Sequence, residues 1–325
     1  MSSHSSPESE RPPVVVVTGP TGSGKSALAI ELAERFNGEI VNADSMQVFR
    51  YMDIGTAKPT PDERLRVPHH LFDVADPNEP YSAGRYEKDA RAAAAMIHGR
   101  GRVVFLVGGT GLYIRAFLDG LIETGVANPG IRKRLEDEHA AAVKAGDPTK
   151  LHRQLAAFDA QAAAKIHPND LRRTIRALEI LEQKGERASD VREAHGFKDS
   201  PFRVLHLCID PGREVLNERI GQRAEEMVEA GLLREVRDLR ERGYAADLRP
   251  MQAIGYRHMQ PVVDGADTLV NATEAIKTDT RRFARRQRTW VRPLPDVHWH
   301  DPSESEVIFE RVGAFLSETE KSESV

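Results

Sequence analysis

Residues Gly19-Pro20-Thr21-Gly22-Ser23-Gly24-Lys25-Ser26 fit the spacing G-x-x-x-x-G-K-[ST] at every required position. That pattern grips phosphate. The glycines let backbone N–H groups turn inward around phosphate oxygens, and the following helix N-terminus adds partial positive charge. Lys25 supplies a full charge, and the Ser26 hydroxyl can reach Mg²⁺. The ligand class is a polyphosphate or pyrophosphate; the motif is that of ATP-binding loops, but it does not select ATP. A plain Gly-rich turn is the weaker reading, because Val14–Val17 precedes as a strand and Ala27–Phe36 follows with helical character.

Further candidates lie downstream. Asp44 follows a short strand, where a carboxylate suits a general base or a metal-bound water; an Asx turn explains it equally well. Thr110 in Gly108-Gly109-Thr110-Gly111 fits a helix N-cap, a ligand-facing hydroxyl, or both. No acid ends the strand Val103–Val107, which weakens an ATPase or GTPase reading. Arg219 and Arg223 share a helix face and could clamp a diphosphate, although nearby glutamates slightly favour an ordinary salt-bridged surface. Arg281, Arg285, Arg288 and Arg292 form one stripe at helical spacing, flanked by Arg282 and Arg286 with no local acid, an electrostatic footprint for nucleic acid. Trp290 beside them reads more readily as a core anchor than as a stacking platform. Leu171–Arg176 is a second, weaker basic spot. His69 and His70 read as structural, and Cys208 as a small buried hydrophobe.

Those residues need elements to hold them. Strands are expected at Val14–Thr18, Glu39–Val41 and Val103–Val107, with helices at Ser26–Phe36 and, N-capped by Ser82, Ser82–His98. The alternation predicts a P-loop NTPase-like α/β fold with a parallel sheet, whose ligand lies at the carboxyl ends of the strands. From 128 to 199 strands disappear, predicting a helical insertion domain. Phe202–Ile209 returns to the sheet, followed by helices at Arg213–Ala230, Leu232–Arg242 and Thr268–Arg292. The expected organisation is a disordered tail at 1–12, a core at 13–127 and 200–317, the insertion at 128–199 and an acidic tail at 318–325.

The 325 residues are 40% hydrophobic and 30% charged, as in a soluble globular protein with a real core. One cysteine leaves no disulfide framework or cysteine-based zinc site. No apolar run approaches a membrane span and no signal-peptide core is visible, so the cytoplasm is the expected compartment. Net charge is −4, but the acidic stretch from Asp301 onward holds −5 of it, leaving about +1 for the rest.

Taken together, these stretches resemble the bacterial tRNA dimethylallyltransferases, or isopentenyltransferases, over nearly the whole chain from Val14 to about Phe315. The resemblance rests on GPTGSGKS (Gly19–Ser26), NADSMQV (Asn42–Val48), MDIGTAKP (Met52–Pro59), LVGGTGLY (Leu106–Tyr113), HPNDLRRTIRALE (His167–Glu179), AIGYR (Ala253–Arg257) and RRQRTWVR (Arg285–Arg292). It implies transfer of a dimethylallyl group from its diphosphate to the exocyclic amine of the adenosine 3′ to the anticodon, in tRNAs reading codons that start with U.

By resemblance, Gly19 and Thr21, Gly22, Ser23, Gly24, Lys25 and Ser26 hold the diphosphate, with Ser26 on Mg²⁺ and Arg219 and Arg223 nearby. Asp44 is the general base, with Lys25, Thr110 and Arg223 as further catalytic groups. Asp44, Ser45, Met46, Gln47, Thr110, Arg132, Arg172, Arg173, Arg176, Gln252, Gly255, Tyr256, Arg257, Arg285, Arg286, Gln287, Trp290 and Arg292 match tRNA-contacting positions. The implied partners are a tRNA anticodon stem-loop and dimethylallyl diphosphate, with no membrane and no obligate protein partner, the chain acting as a monomer. No Cys/His spacing matches the zinc finger of eukaryotic relatives. Two rivals remain: a small-molecule P-loop kinase, which needs neither the arginine stripe nor the HPND stretch, and a non-catalytic RNA-binding module, which needs neither the P-loop nor Asp44.

Overall fold

The structure, a computed structural model, describes residues 11–121, 128–195 and 200–322. It divides into two units, one reaching Asp119 and resuming at Ser200, the other Gly120–Asp199. The first runs β1 (Pro13–Thr18), α1 (Lys25–Arg35), β2 (Gly38–Asn42), α2 (Pro61–Arg66), β3 (His69–His70), α3 (Ala83–His98), β4 (Val103–Val107) and α4 (Gly111–Asp119). The second is α5 (Pro129–Lys144), α6 (Lys150–Phe158), α7 (Ala160–Lys165), α8 (Leu171–Lys184) and α9 (Ala188–His195). The first then resumes with β5 (Arg203–Ile209), α10 (Arg213–Glu229), α11 (Leu232–Glu241), a 3₁₀ turn at Pro250–Gln252, α12 (Tyr256–Val263), α13 (Leu269–Val291), β6 (Val297–His300) and α14 (Ser305–Ser322).

The six strands form one parallel sheet in the order β3-β2-β4-β1-β5-β6. Val14 of β1 is level with Val104 of β4 on one side and Val204 of β5 on the other. Val14–Val17 of β1 form an unbroken apolar run because both faces are covered. Val14 and Val16 join a core with Tyr86, Ile97, Tyr256 and Ile276 from the helices on one face. Val15 and Val17 join Leu28, Leu32, Ile308 and Val312 on the other. α3 shows how a helix attaches to such a sheet. Ser82 caps it by accepting from the Arg85 N–H, and Tyr86, Ala90, Ala93, Ala94 and Ile97 face inward at helical spacing.

The helical unit has its own core, including Leu135, Leu151, Leu155, Ile175 and Leu178. Asp170 of the HPND stretch starts α8 by accepting from Arg173 N–H. Glu179 is 0% exposed, yet it is a carboxylate. Arg132 meets it with two guanidinium nitrogens, and Arg176 and the Asn128 N–H donate as well. Those donors keep the buried charge satisfied and hold its carboxyl below the usual range, against burial, which pushes it up.

Several expectations need correction. Arg11 and Pro12 are no tail: Arg11 donates to the Ser200 carbonyl and Pro12 O accepts from Arg203 N–H. Residues 1–10, 122–127, 196–199 and 323–325 lie outside the described residues, so the expected tails are described only in part. Residues 318–322 belong to α14. The first helix of the second unit starts at Pro129 with Asn128 as its cap, as expected, while the compact unit itself is bounded by Gly120. β3 and β6 were not anticipated, because two- and four-residue edge strands leave little apolar periodicity.

Candidate active site

The phosphate loop leaves β1 and ends at the N-terminus of α1. Gly24 caps that helix at φ +90°, a left-handed conformation that favours glycine. Ser23 N–H donates to Pro20 O, and Thr21 N–H donates to the Gln287 side chain. The N–H groups of Gly22, Gly24, Lys25 and Ser26 donate to no protein group among the described residues. This is a row of unpaired donors at a helix N-terminus, an anion cradle. The Ser23 hydroxyl is buried in it, without a hydrogen-bond partner among the described residues.

Asp44 sits on the loop after β2. Asn42 builds that loop: its side-chain oxygen accepts from Asp44 N–H, while its amide donates to Asp44 O and Leu71 O. Asp44 Oδ1 accepts from Met46 N–H at 2.8 Å, the Asx turn weighed above. Its Oδ2 has no hydrogen-bond partner among the described residues. One oxygen of Asp44 thus shapes the turn, which does not engage the other.

Lys25 and Arg223 complete the cluster. Burial pushes the Lys25 ammonium down from 10.5 to about 8, and Arg223 pushes the same way while Asp44 opposes them. Arg223 is also pushed down by burial, with Asp44 and Glu226 opposing. Arg219 lies along the loop backbone, donating to Ser23 O at 3.5 Å. Neither arginine has a carboxylate within ion-pair distance among the described residues, so the salt-bridged surface slightly favoured above does not form. Arg223 is among the residues that line a cavity of about 940 Å³, with Tyr51, Lys58, Thr60 and Met227.

Thr110 follows β4. Its hydroxyl oxygen accepts from Ser45 N–H at 3.0 Å, tying this loop to that of Asp44. It does not cap α4 with its side chain; its carbonyl accepts from Ile114 N–H. Gly108 carries the close approach: a Cβ there would lie 2.3 Å from the Ala43 carbonyl.

The outer candidates divide. Arg285 and Arg286 are exposed on α13, Arg292 is exposed at its C-cap, and Gln252 is exposed at the 3₁₀ turn. Arg288 of the same stripe is ion-paired with Asp210 at the end of β5, so the stripe is not uniformly free of acid. Arg257 pairs with Asp279. Gly255 caps α12 at φ +93°. Trp290 stands over Gly111, half-buried against the core. Gln47 donates to Thr56 O and Ala57 O. In the helical unit Arg172 is exposed, Arg173 pairs with Asp170, and Arg132 and Arg176 are held on Glu179.

Two expected tRNA contacts have buried side chains engaged within the protein. Tyr256 is 0% exposed, and its hydroxyl donates to Glu235. Gln287 is 7% exposed, with both ends of its amide engaged by backbone.

Glu235 and Asn42 were missed. Glu235 accepts from the N–H groups of Asp53, Ile54 and Gly55, clamping the MDIGTAKP turn, where Lys58 is buried between Asp53 and Asp73. No local pattern marks a glutamate 180 residues from its partners. Asn42, two residues before Asp44 at a strand end, did carry a turn-former's signal.

Fold and site define a class: a P-loop α/β protein with an anion cradle and one aspartate on neighbouring loops at the sheet's carboxyl edge, and no acid ending β4. Family models described as IPP transferase and isopentenyl transferase match residues 47–293 and 12–70. The chain is 50% identical over 294 residues to a tRNA dimethylallyltransferase of Desulfosudis oleivorans, covering 90% of this chain and 92% of that one. It is 48% identical to one of Geobacter metallireducens, covering 90% and 93%. The crystal structure of the tRNA isopentenylpyrophosphate transferase of Bacillus halodurans aligns with TM-score 0.70 and 39% identity, over 96% of this chain and 99% of that one. A eukaryotic dimethylallyltransferase described as acting on tRNA aligns with TM-score 0.81 and 30% identity, over 94% and 80%. The chain belongs to the tRNA dimethylallyltransferase family and is a prenyl-transferring enzyme.

Proposed function

We propose that this chain transfers the dimethylallyl group of dimethylallyl diphosphate to the N6 amine of the adenosine 3′-adjacent to the anticodon, in tRNAs reading codons that start with U. The observation that carries it is the meeting of Lys25, Arg223 and Asp44 at the end of the anion cradle, with Asp44 Oδ2 unpartnered. The cradle N–H groups, Lys25 and Arg223 hold the diphosphate and offset the charge that grows as it leaves. The amine nitrogen forms a bond to the allylic carbon as that carbon's bond to the diphosphate oxygen breaks, and Asp44 Oδ2 takes the amine proton. The target base leaves its stack to reach Asp44, at a cost of a few kcal/mol.

The Ser26 hydroxyl at the start of α1 and the Ser23 hydroxyl offer oxygens of the kind that would hold Mg²⁺. When bound there, Mg²⁺ supplies charge neutralisation to the diphosphate. Among the described residues no cluster of three His, Cys, Asp or Glu could hold a metal by itself.

Arg285, Arg286, Arg292 and Arg172 are the exposed cations suited to RNA phosphates, with the anticodon stem-loop as their ligand. No described helix is long and apolar enough to cross a membrane, and the cytoplasm, where tRNA is, is the proposed compartment.

The test is mass analysis of nucleosides from unmodified tRNA incubated with protein, Mg²⁺ and dimethylallyl diphosphate. A dimethylallyl adenosine at the position 3′ to the anticodon is expected. Turnover of labelled ATP with no response to the prenyl donor would return the kinase, which the family membership disfavours.

A further inference from the structure

We propose that Gln287 is a positioning residue that sets the anion cradle against the Asp44 loop, and that it makes no contact with RNA. The inference rests on the prenyl-transfer reading above. Thr21 N–H donates to Gln287 Oε1 at 2.8 Å, and Gln287 Nε2 donates to Gly109 O at 3.2 Å. One partner can only donate and the other only accept, so a single amide orientation satisfies both. The fit is close. A Cβ at Gly109 would lie 2.0 Å from Nε2.

Gln287 lies between Ala284 and Val291 on the buried stripe of α13, while its neighbours Arg285 and Arg286 are exposed. Adjacent residues of one motif thus face different tasks. Engaging Thr21 N–H pins the start of the loop whose later N–H groups are left for the anion. Holding Gly109 O pins the residue before Thr110, whose hydroxyl receives Ser45 N–H next to Asp44. One amide therefore spans the two loops that carry the diphosphate and the base. Loosening it displaces the allylic carbon relative to Asp44 Oδ2, which lowers donor affinity and the chemical rate together.

The test uses the full chain with tRNA and dimethylallyl diphosphate. Gln287→Met keeps the length and removes both hydrogen bonds. It should raise KM for the donor and lower kcat, a combined loss in kcat/KM of roughly 10–100-fold. The Kd for tRNA and its salt dependence should stay within about twofold of wild type, since RNA affinity is set by phosphate contacts elsewhere. Gln287→Glu keeps the acceptor for Thr21 but adds a negative charge beside the cradle, and should impair donor use more than Gln287→Met. Gly109→Ala presses on the amide from the other side and should reproduce the Gln287→Met split; it decides the matter if Gln287→Met does not fold. Weakened tRNA binding with unchanged donor KM would make Gln287 an RNA contact and overturn the proposal, as would unchanged values of all three. Failure of the underlying reading looks different: wild-type protein would then transfer no prenyl group.

Discussion

Asp44 divides its carboxylate between structure and chemistry, and a substitution can separate the two. Asp44→Asn keeps an oxygen for Met46 N–H but removes the proton acceptor. Single-turnover transfer should fall roughly 10²–10⁴-fold, the usual range for a lost general base, with tRNA affinity near wild type. A near-normal rate would take Asp44 out of the base role. Lys25 gives a pH dependence of definite sign. Its folded-state value is about 8 against 10.5 ordinarily. Between those values the unfolded chain binds the extra proton, so this group makes stability rise with pH across that window. Donor use moves the opposite way. Above pH 8 the free enzyme loses the Lys25 charge, and kcat/KM for dimethylallyl diphosphate should decline with an apparent pKa near 8. Lys25→Arg, which stays protonated, should be less active but lack that alkaline limb.

At the scale of elements, α13 carries cations of unlike standing. Arg285 is exposed, whereas Arg288 is held by Asp210. In tRNA titrations across salt concentration, Arg285→Ala should flatten the log-affinity versus log-salt slope by roughly 0.7–0.9, one released counterion. Arg288→Ala should leave the slope unchanged. Equal effects would mean that the Asp210 pair opens on RNA binding. The same helix shows what was readable beforehand. Its length and arginine stripe follow from local spacing, as do the β1–loop–α1 unit and the Ser82 cap of α3, since each signal lies within a few residues. Asp210 for Arg288, Glu235 for the 53–55 turn and the two backbones on Gln287 were not readable. Each depends on strands and helices that meet only after the sheet assembles. The short edge strands β3 and β6 escaped for the complementary reason: pairing, not composition, makes them strands.

For the molecule as a whole, the order of elements along the chain sets a timetable. β1 is central in the sheet, yet one of its two neighbours, β5, comes only after the helical unit. During synthesis the Pro13–Thr18 strand must wait, with one edge bare, until Ile209 has been made. The helical unit is continuous in sequence and can complete its contacts first, because local contacts form faster than distant ones. Pulse-labelled hydrogen exchange during refolding should show amides of α5, α6 and α8 protected before those joining β1 to β5; the reverse order would mean that the sheet recruits β5 ahead of its intervening passenger. Until β5 arrives, Val14–Val17 offers an apolar strand with unpaired edge groups, the kind of surface on which nascent chains stick to one another and which chaperones cover. The waiting interval falls on the strand that leads into the phosphate loop, so the segment that carries the proposed cradle is open to misassembly at birth.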